Sequence, residues 1–79
     1  MKTSLADLPV GQPAEIASID CERRISRRLM EMGLLPGTPV RVVRVAPLGD
    51  PIELWVRNYA LSLRRAEASN IAVSSEETV

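Results

Sequence analysis

The residues that could take part in catalysis are few, and their types exclude most enzyme chemistry. The chain of 79 residues has no histidine and a single cysteine, Cys21. A Ser–His–Asp triad, a Cys–His pair and the usual zinc ligand sets therefore cannot be assembled. Asp50 and Glu53 flank a hairpin loop, where acidic residues usually belong to a solvated turn and not to an acid–base pair. We expect no enzymatic activity, no cofactor and no bound transition metal.

Cys21 is the residue with reactive potential, and two interpretations of it are open. Its position near the start of a predicted helix, beside Arg23 and Arg24, would favour the thiolate. The alternative is a small residue in the first helical turn, which we favour because a lone thiol without histidine makes a poor metal site. A single cysteine also excludes an internal disulfide, and for so small a domain this indicates reducing surroundings.

Charge is distributed unevenly along the chain, although its formal net value is +0. Nine of the ten basic residues are arginines, and all nine lie between Arg23 and Arg65, where only three acidic residues occur. Arginine makes forked hydrogen bonds to carboxylates and phosphates and stacks on flat groups. The central part of the chain therefore predicts contacts with acidic partners.

Three groups of residues are candidates for binding a macromolecular partner. On the predicted helix, Arg23, Arg27 and Met30 point away from the apolar stripe. The predicted hairpin loop has an apolar tip with no evident core role. A tryptophan on the outward side of a strand either covers the sheet with an arginine stacked on it or anchors a partner. The candidate residues are Arg23, Arg27, Met30, Leu48, Gly49, Asp50, Pro51 and Trp55.

One α-helix is predicted over residues 21–32, with a length of about 18 Å. Asp20 is a suitable N-cap, and apolar side chains recur at helical spacing after it. Gly33 then ends the helix. Leu34 follows at the position that folds back onto Leu29 in a Schellman motif.

Five short strands account for most of the remaining sequence. Residues 52–56 alternate cleanly between apolar and polar types, which predicts a strand with its even-numbered side chains in the core. The apolar spacing within residues 13–20 and 40–45 is irregular, which predicts a bend or bulge in both strands. Residues 61–63 and 71–73 supply the last two strands.

The order of these elements predicts a mainly β fold, a small SH3-like partly open barrel with one inserted α-helix. One domain is expected over residues 1–74, followed by a disordered acidic tail at 75–79. No apolar run approaches the roughly 18 residues that span a bilayer, and the N-terminus lacks the features of a signal peptide. We therefore expect a cytoplasmic protein without direct membrane insertion.

Three segments of the sequence carry a family resemblance: Gly33–Gly37, Val42–Ile52 and Leu61–Arg64. Together they resemble the FeoA family, small cytosolic partners of the ferrous-iron transporter FeoB. The resemblance implies an SH3-like barrel, no enzymatic activity, and an accessory role in iron uptake at the cytosolic GTP-binding domain of FeoB. One departure is Asn58, where many relatives have glycine; asparagine tolerates the left-handed conformation that a turn requires there.

A nucleic-acid binder is the alternative from another functional class, since small barrels often bind nucleic acid and this chain carries nine arginines. Single-strand binders interleave basic residues with stacking aromatics, whereas this chain has one Trp, one Tyr and no Phe. We therefore expect no nucleic-acid ligand. A regulatory module of the kind attached to metal-dependent repressors is a further alternative, and weak self-association stays open.

Overall fold

The computed structural model describes residues 2–75, whose backbone forms a six-stranded antiparallel sheet. The strands are β1 (Lys2–Ser4), β2 (Pro13–Ile19), β3 (Pro39–Val45), β4 (Ile52–Val56), β5 (Tyr59–Leu63) and β6 (Ile71–Ser75). Their spatial order is β1-β6-β2-β3-β4-β5, so β1 and β5 are the two edges. The mainly β class and the open sheet predicted from the sequence are confirmed.

Three short helices connect the strands: a 3₁₀-helix (Leu5–Asp7), α1 (Arg23–Glu31) and α2 (Arg65–Ala68). The predicted helix is present, but it is shorter than residues 21–32 and has Glu22 at its N-cap. The prediction of Asp20 as the N-cap is wrong, because its backbone N–H donates to the carbonyl of Asn70 at 2.8 Å and so continues the β2–β6 ladder. Within residues 2–75, no helix is long and apolar enough to cross a bilayer.

Both ends of the described chain differ from the sequence prediction. β1 raises the strand number from the predicted five to six; it has no apolar alternation and is held by pairing with β6, with Thr3 opposite Val73. β6 continues to Ser75, which is only 7% exposed and pairs with Ala14. The described domain therefore extends one residue beyond the predicted boundary at 74. Residues 76–79 of the predicted tail lie outside the described residues.

The irregularities predicted in β2 and β3 are both present. The register of β2 against β6 shifts between Ile16 and Ser18, and that of β3 against β4 shifts between Val42 and Arg44. A bulge inserts one extra residue, so the face that points into the core changes along the strand. By register, Val42 lies opposite the buried Leu54 and Val45 opposite the buried Ile52, so both valines are on the core side. Val42 is buried, whereas Val45, the last residue of β3, is 36% exposed.

One hydrophobic core joins the inner face of the sheet to α1 and the 3₁₀-helix. The even-numbered side chains of β4 are buried in it, as the alternation of that strand predicts. α1 contributes Leu29, which is fully buried, and Ile25 packs partly against the same cluster. Its largest fully buried side chains include Leu5, Ile16, Leu29, Leu34, Ile52, Leu54 and Ile71.

The C-terminal end of α1 has the Schellman geometry that the sequence predicts. Gly33 has a φ of +102°. The N–H of Leu34 donates to the carbonyl of Leu29 at 3.1 Å, and the N–H of Gly33 donates to that of Met30 at 3.0 Å. Leu34 and Leu29 are both fully buried. Backbone hydrogen bonds and core packing thus fix this end of the helix together.

The hairpin between β4 and β5 turns through two residues, Arg57 and Asn58. The sequence assigns the left-handed conformation to Asn58, but the positive φ, 56°, is at Arg57, alone among the described non-glycine residues. A positive φ at the first loop residue is typical of a type II′ turn, a position that glycine usually occupies. Arginine there costs about 1 kcal/mol relative to an unstrained backbone.

Candidate functional site

The side of α1 that faces away from the core forms a shallow groove. Its lining residues are Arg23, Ser26, Arg27, Met30 and Glu31. Met30 is 41% exposed and gives the groove an apolar side chain among polar ones. In the part of the chain that the structure describes, neither arginine of this groove forms a salt bridge. Arg23, Arg27 and Met30, which the sequence singled out, therefore lie together on one accessible surface, the α1 outer face.

The loop between β3 and β4 presents an isolated apolar tip. The N–H of Gly49 donates to the carbonyl of Ala46 at 2.7 Å, and the N–H of Ala46 donates to the carbonyl of Pro51 at 3.1 Å. These two bonds close the loop and leave Leu48 at its end, 97% exposed. Leu48 has no core role, so its apolar surface is available to a partner.

Asp50 has a structural contact that the sequence does not reveal. Its Oδ1 accepts a hydrogen bond from the backbone N–H of Arg65 at 3.0 Å. Arg65 is the first residue of α2, where N–H groups have no partner within the helix and a carboxylate is electrostatically favoured. Asp50 thus ties the β3–β4 loop to α2.

The loop and the α1 outer face do not form one continuous groove. Pro51 lines a hollow with the flank of α1 that carries Arg28 and Met32. Arg27 and Met30 lie on another flank of the helix and line their own groove. The structure therefore separates the candidate residues on the helix from those in the loop.

Sequence reasoning missed the ion pair that holds α1 against α2. Arg28 Nη2 lies 2.7 Å from Glu67 Oε2, and Glu67 Oε1 accepts the backbone N–H of Arg64 at 3.3 Å. The pair joins residues 39 positions apart, and nothing in the local sequence links them. It adds a contact between α1 and α2, while the burial of Leu29 in the core holds the helix in place.

Cys21 is half-buried, and its Sγ donates to the carbonyl of Glu67 at 3.8 Å. Burial raises the pKa of the Cys21 thiol above its ordinary value, and the negative charges of Glu67 and Asp20 raise this pKa further. The interpretation in which Arg23 and Arg24 stabilise a thiolate is therefore contradicted. The interpretation as a small structural residue is the one that fits.

We expect Cys21 to react slowly with iodoacetamide. Only the thiolate is nucleophilic, and a raised pKa lowers the thiolate fraction at pH 8. Alkylation of the folded protein should be at least about threefold slower than that of the same protein in 8 M urea, because half-burial also restricts access. Mass spectrometry of timed samples measures both rates, and an equal or faster rate in the folded state would contradict the prediction.

A second shallow groove lies on the face of the sheet that points away from the core. We name it the Trp55 groove. Its lining residues are Pro13, Pro39, Val40, Arg41, Trp55 and Arg57. Trp55 is 40% exposed and lies directly opposite Arg41 of β3. This placement agrees with both interpretations of Trp55, as a ring stacked by arginine and as a binding anchor.

No group of three or more His, Cys, Asp and Glu side chains that could hold a metal ion occurs within residues 2–75. The expectation that the protein carries no transition metal stays a prediction.

The fold and its exposed surfaces define a class of protein. A small open antiparallel sheet with one packed helix and shallow, accessible grooves is the architecture of SH3-like binding domains. Within this class the chain belongs to the FeoA family, since the family model of the FeoA domain matches residues 3–75. The family resemblance and the SH3-like barrel predicted from the sequence are both confirmed.

Known relatives connect the family with ferrous iron. The Fe(2+) transport protein A/Fe(2+) transporter FeoB fusion protein of Porphyromonas gingivalis is 36% identical over 69 residues, which is 87% of this chain and 8% of that protein. This chain therefore spans less than a tenth of that relative's length.

Two solved structures are similar over nearly the whole chain. FeoA of Chlorobium tepidum is 41% identical, with a TM-score of 0.90 over 95% of this chain and 71% of the other. FeoA of Stenotrophomonas maltophilia, complexed with zinc, is 32% identical, with a TM-score of 0.80 over 98% and 99%. The latter is described as a prokaryotic SH3 domain protein and a candidate ferrous iron transport activating factor.

Proposed function

We propose that this protein is a non-enzymatic cytosolic accessory protein of ferrous iron uptake, which binds the cytosolic GTP-binding domain of a FeoB transporter. The observation that carries the proposal is the Porphyromonas gingivalis fusion protein, in which a region similar to this chain is joined to FeoB. Fusion holds two modules at high effective concentration, which benefits modules that act on one another.

The α1 outer face is the surface that we propose for this contact. Arginine and methionine are enriched in protein interfaces, and the flexible thioether of Met30 adapts to an apolar hollow on a partner. Arg23 and Arg27 have no salt-bridge partner among residues 2–75, so their guanidinium groups are free to pair with carboxylates of another protein. Leu48 supplies a second, separate apolar contact.

The chemistry of the described residues supports binding over catalysis. Cys21 is directed into the protein and its thiolate is disfavoured, while Asp50 is occupied by the N–H of Arg65. Neither residue is thus poised as a nucleophile or a general base. The α1 outer face presents two arginines, Met30, Ser26 and one carboxylate, Glu31, a set that suits contact with a partner.

Calorimetric titration of the full chain into the purified cytosolic GTP-binding domain of FeoB from the same organism tests the proposal. We expect saturable binding with a micromolar dissociation constant, measured with GDP and with a non-hydrolysable GTP analogue. A 20-base-pair DNA duplex at 150 mM salt is the control for arginine-driven binding, and it should give no heat. No binding to the FeoB domain at 100 µM in either nucleotide state, or tighter binding to the duplex, would contradict the proposal.

A further inference from the structure

The Trp55 groove is bordered on one side by a row of cross-strand neighbours. Pro13 of β2 pairs with Arg41 of β3, Arg41 pairs with Trp55 of β4, and Trp55 pairs with Ala60 of β5. Neighbouring strands lie about 4.8 Å apart, so the row is about 14 Å long. Alternation places this row on the face opposite the buried side chains. The first three residues of this row line the groove, so three strands build this wall on the outer face of the sheet.

Pro39 and Arg57 form the other wall of the groove. Each lies two residues along the chain from a member of the first wall, Pro39 from Arg41 and Arg57 from Trp55. Two residues of a strand span about 7 Å. The two rows therefore lie side by side, and a partner segment rests on this shallow surface and not between the rows.

The polar groups that line this groove are positively charged. Among residues 2–75, Arg41 and Arg57 form no salt bridge and no side-chain hydrogen bond. By register, Glu15 lies opposite Pro39 and Glu53 lies opposite Arg44, and neither carboxylate lines the groove. Two guanidinium groups beside a half-exposed indole therefore lack an acidic partner within the described chain.

The backbone conformation of Arg57 is energetically unfavourable for a residue other than glycine. Its φ of 56° is the left-handed conformation that glycine adopts freely and arginine does not. Strained residues that persist in a fold concentrate at sites where the side chain is needed for binding. Because Arg57 lines the groove, its guanidinium group is placed for such a binding role.

We propose that the Trp55 groove binds an extended acidic peptide segment of a partner protein. Arg41 and Arg57 pair with carboxylates of the segment by forked hydrogen bonds, and its apolar atoms cover the indole of Trp55. Charge complementarity carries the assignment. Protein is favoured over single-stranded nucleic acid, because one indole cannot stack successive bases.

This site is independent of the α1 outer face. Trp55 alternates along β4 with the buried Leu54 and Val56, and α1 packs on that buried side of the sheet through Leu29. The two surfaces therefore lie on opposite faces of the sheet. The loss of one is not expected to affect the other.

Trp55 is the single tryptophan of the chain, so its emission reports directly on the groove. Titration of the full chain with deca-glutamate at 150 mM salt should give a saturable change in this emission, and deca-lysine should give none. Arg41→Gln should weaken deca-glutamate binding about fivefold, or about 1 kcal/mol. Arg24→Gln removes the same charge from the exposed surface of α1 and should leave the binding unchanged.

Arg57→Gly separates a binding role from a structural one. Glycine relieves the backbone strain, so the melting temperature should rise by about 4 °C. Loss of the guanidinium group should at the same time weaken deca-glutamate binding about fivefold. A higher melting temperature with unchanged binding would show that Arg57 serves the turn alone and would overturn its part in the proposal.

Four further outcomes would overturn the proposal. The first is the absence of a saturable emission change with deca-glutamate. The second is an equal loss of binding in Arg24→Gln and Arg41→Gln. The third is binding of a deoxythymidine 10-mer that is as tight as that of deca-glutamate, which would indicate nucleic acid. The fourth is deca-glutamate binding seen only after Glu76→Gln/Glu77→Gln, which would make the chain's own acidic end the occupant. Sedimentation velocity at increasing protein concentration, without peptide, adds one more test. If the Trp55 emission changes in step with dimer formation, the groove is occupied by a second copy of the chain.

Discussion

Gly33→Val is expected to destabilise the protein by about 3 kcal/mol. At a φ of +102°, a β-branched residue is strained in any surroundings. A Cβ atom at this position would also lie 2.7 Å from the hydroxyl oxygen of Tyr59, which is too close for any contact between the two atoms. Either the tyrosine must move or the Schellman end of α1 must open, and opening it withdraws Leu34 from the core.

The free energy of unfolding from urea titration measures this effect, and three controls divide it into parts. Gly11→Ala introduces a Cβ at a similar φ of +89°, with no atom within 4 Å, and reports the cost of the backbone alone. Gly33→Ala should cost more than Gly11→Ala. Combining Gly33→Ala with Tyr59→Phe should recover the excess, because the hydroxyl is then absent. An unchanged urea midpoint in Gly33→Val would contradict the structural role assigned to Gly33.

The parts of the fold that the sequence predicts correctly are those set by local signals. Gly33 and Leu34 mark the helix end because the Schellman motif involves only a few consecutive residues. The alternation in β4 identifies its buried face because side chains of a strand point to opposite sides in turn. The bulge in β3 is predictable for the same reason, since it shifts the apolar pattern by one residue.

The parts that the sequence predicts wrongly depend on partners distant in the chain. β1 exists through its pairing with β6, about 70 residues away, and Asp20 is drawn into the ladder by Asn70 instead of capping α1. The positive φ falls on Arg57 because the register of β4 and β5 fixes which loop residue turns. Strand pairing overrides local preference in each case.

The candidate surfaces also contain features set by local signals and features set by residues distant in the chain. The exposure of Met30 and Leu48 follows from helical periodicity and from loop composition, and the structure places both where the sequence suggests. The contact between Asp50 and the N–H of Arg65 spans 15 residues and has no local signal. Asp50 therefore belongs to the support of the loop, which leaves Leu48 as its exposed contact residue.

Arg27→Ala/Met30→Ala should weaken binding to the cytosolic domain of FeoB about tenfold, or about 1.4 kcal/mol. Truncating Met30 removes an adaptable apolar anchor, and truncating Arg27 removes a guanidinium group that forms no salt bridge within residues 2–75. Both side chains are exposed, so the melting temperature should change by less than about 2 °C. Calorimetric titration gives the dissociation constant, and circular dichroism gives the melting curve.

A matched control removes the same kinds of side chain from elsewhere on the surface. Val10→Ala/Arg65→Ala truncates one exposed apolar residue and one exposed arginine, neither of which lies on the α1 outer face. It should bind FeoB as the unchanged protein does. Leu48→Ala tests the loop separately, because Leu48 and the helix line different parts of the surface. If both Arg27→Ala/Met30→Ala and Leu48→Ala bind with unaltered affinity, the α1 outer face and the loop are not the docking surface, and a FeoB contact at Trp55 becomes the next one to test.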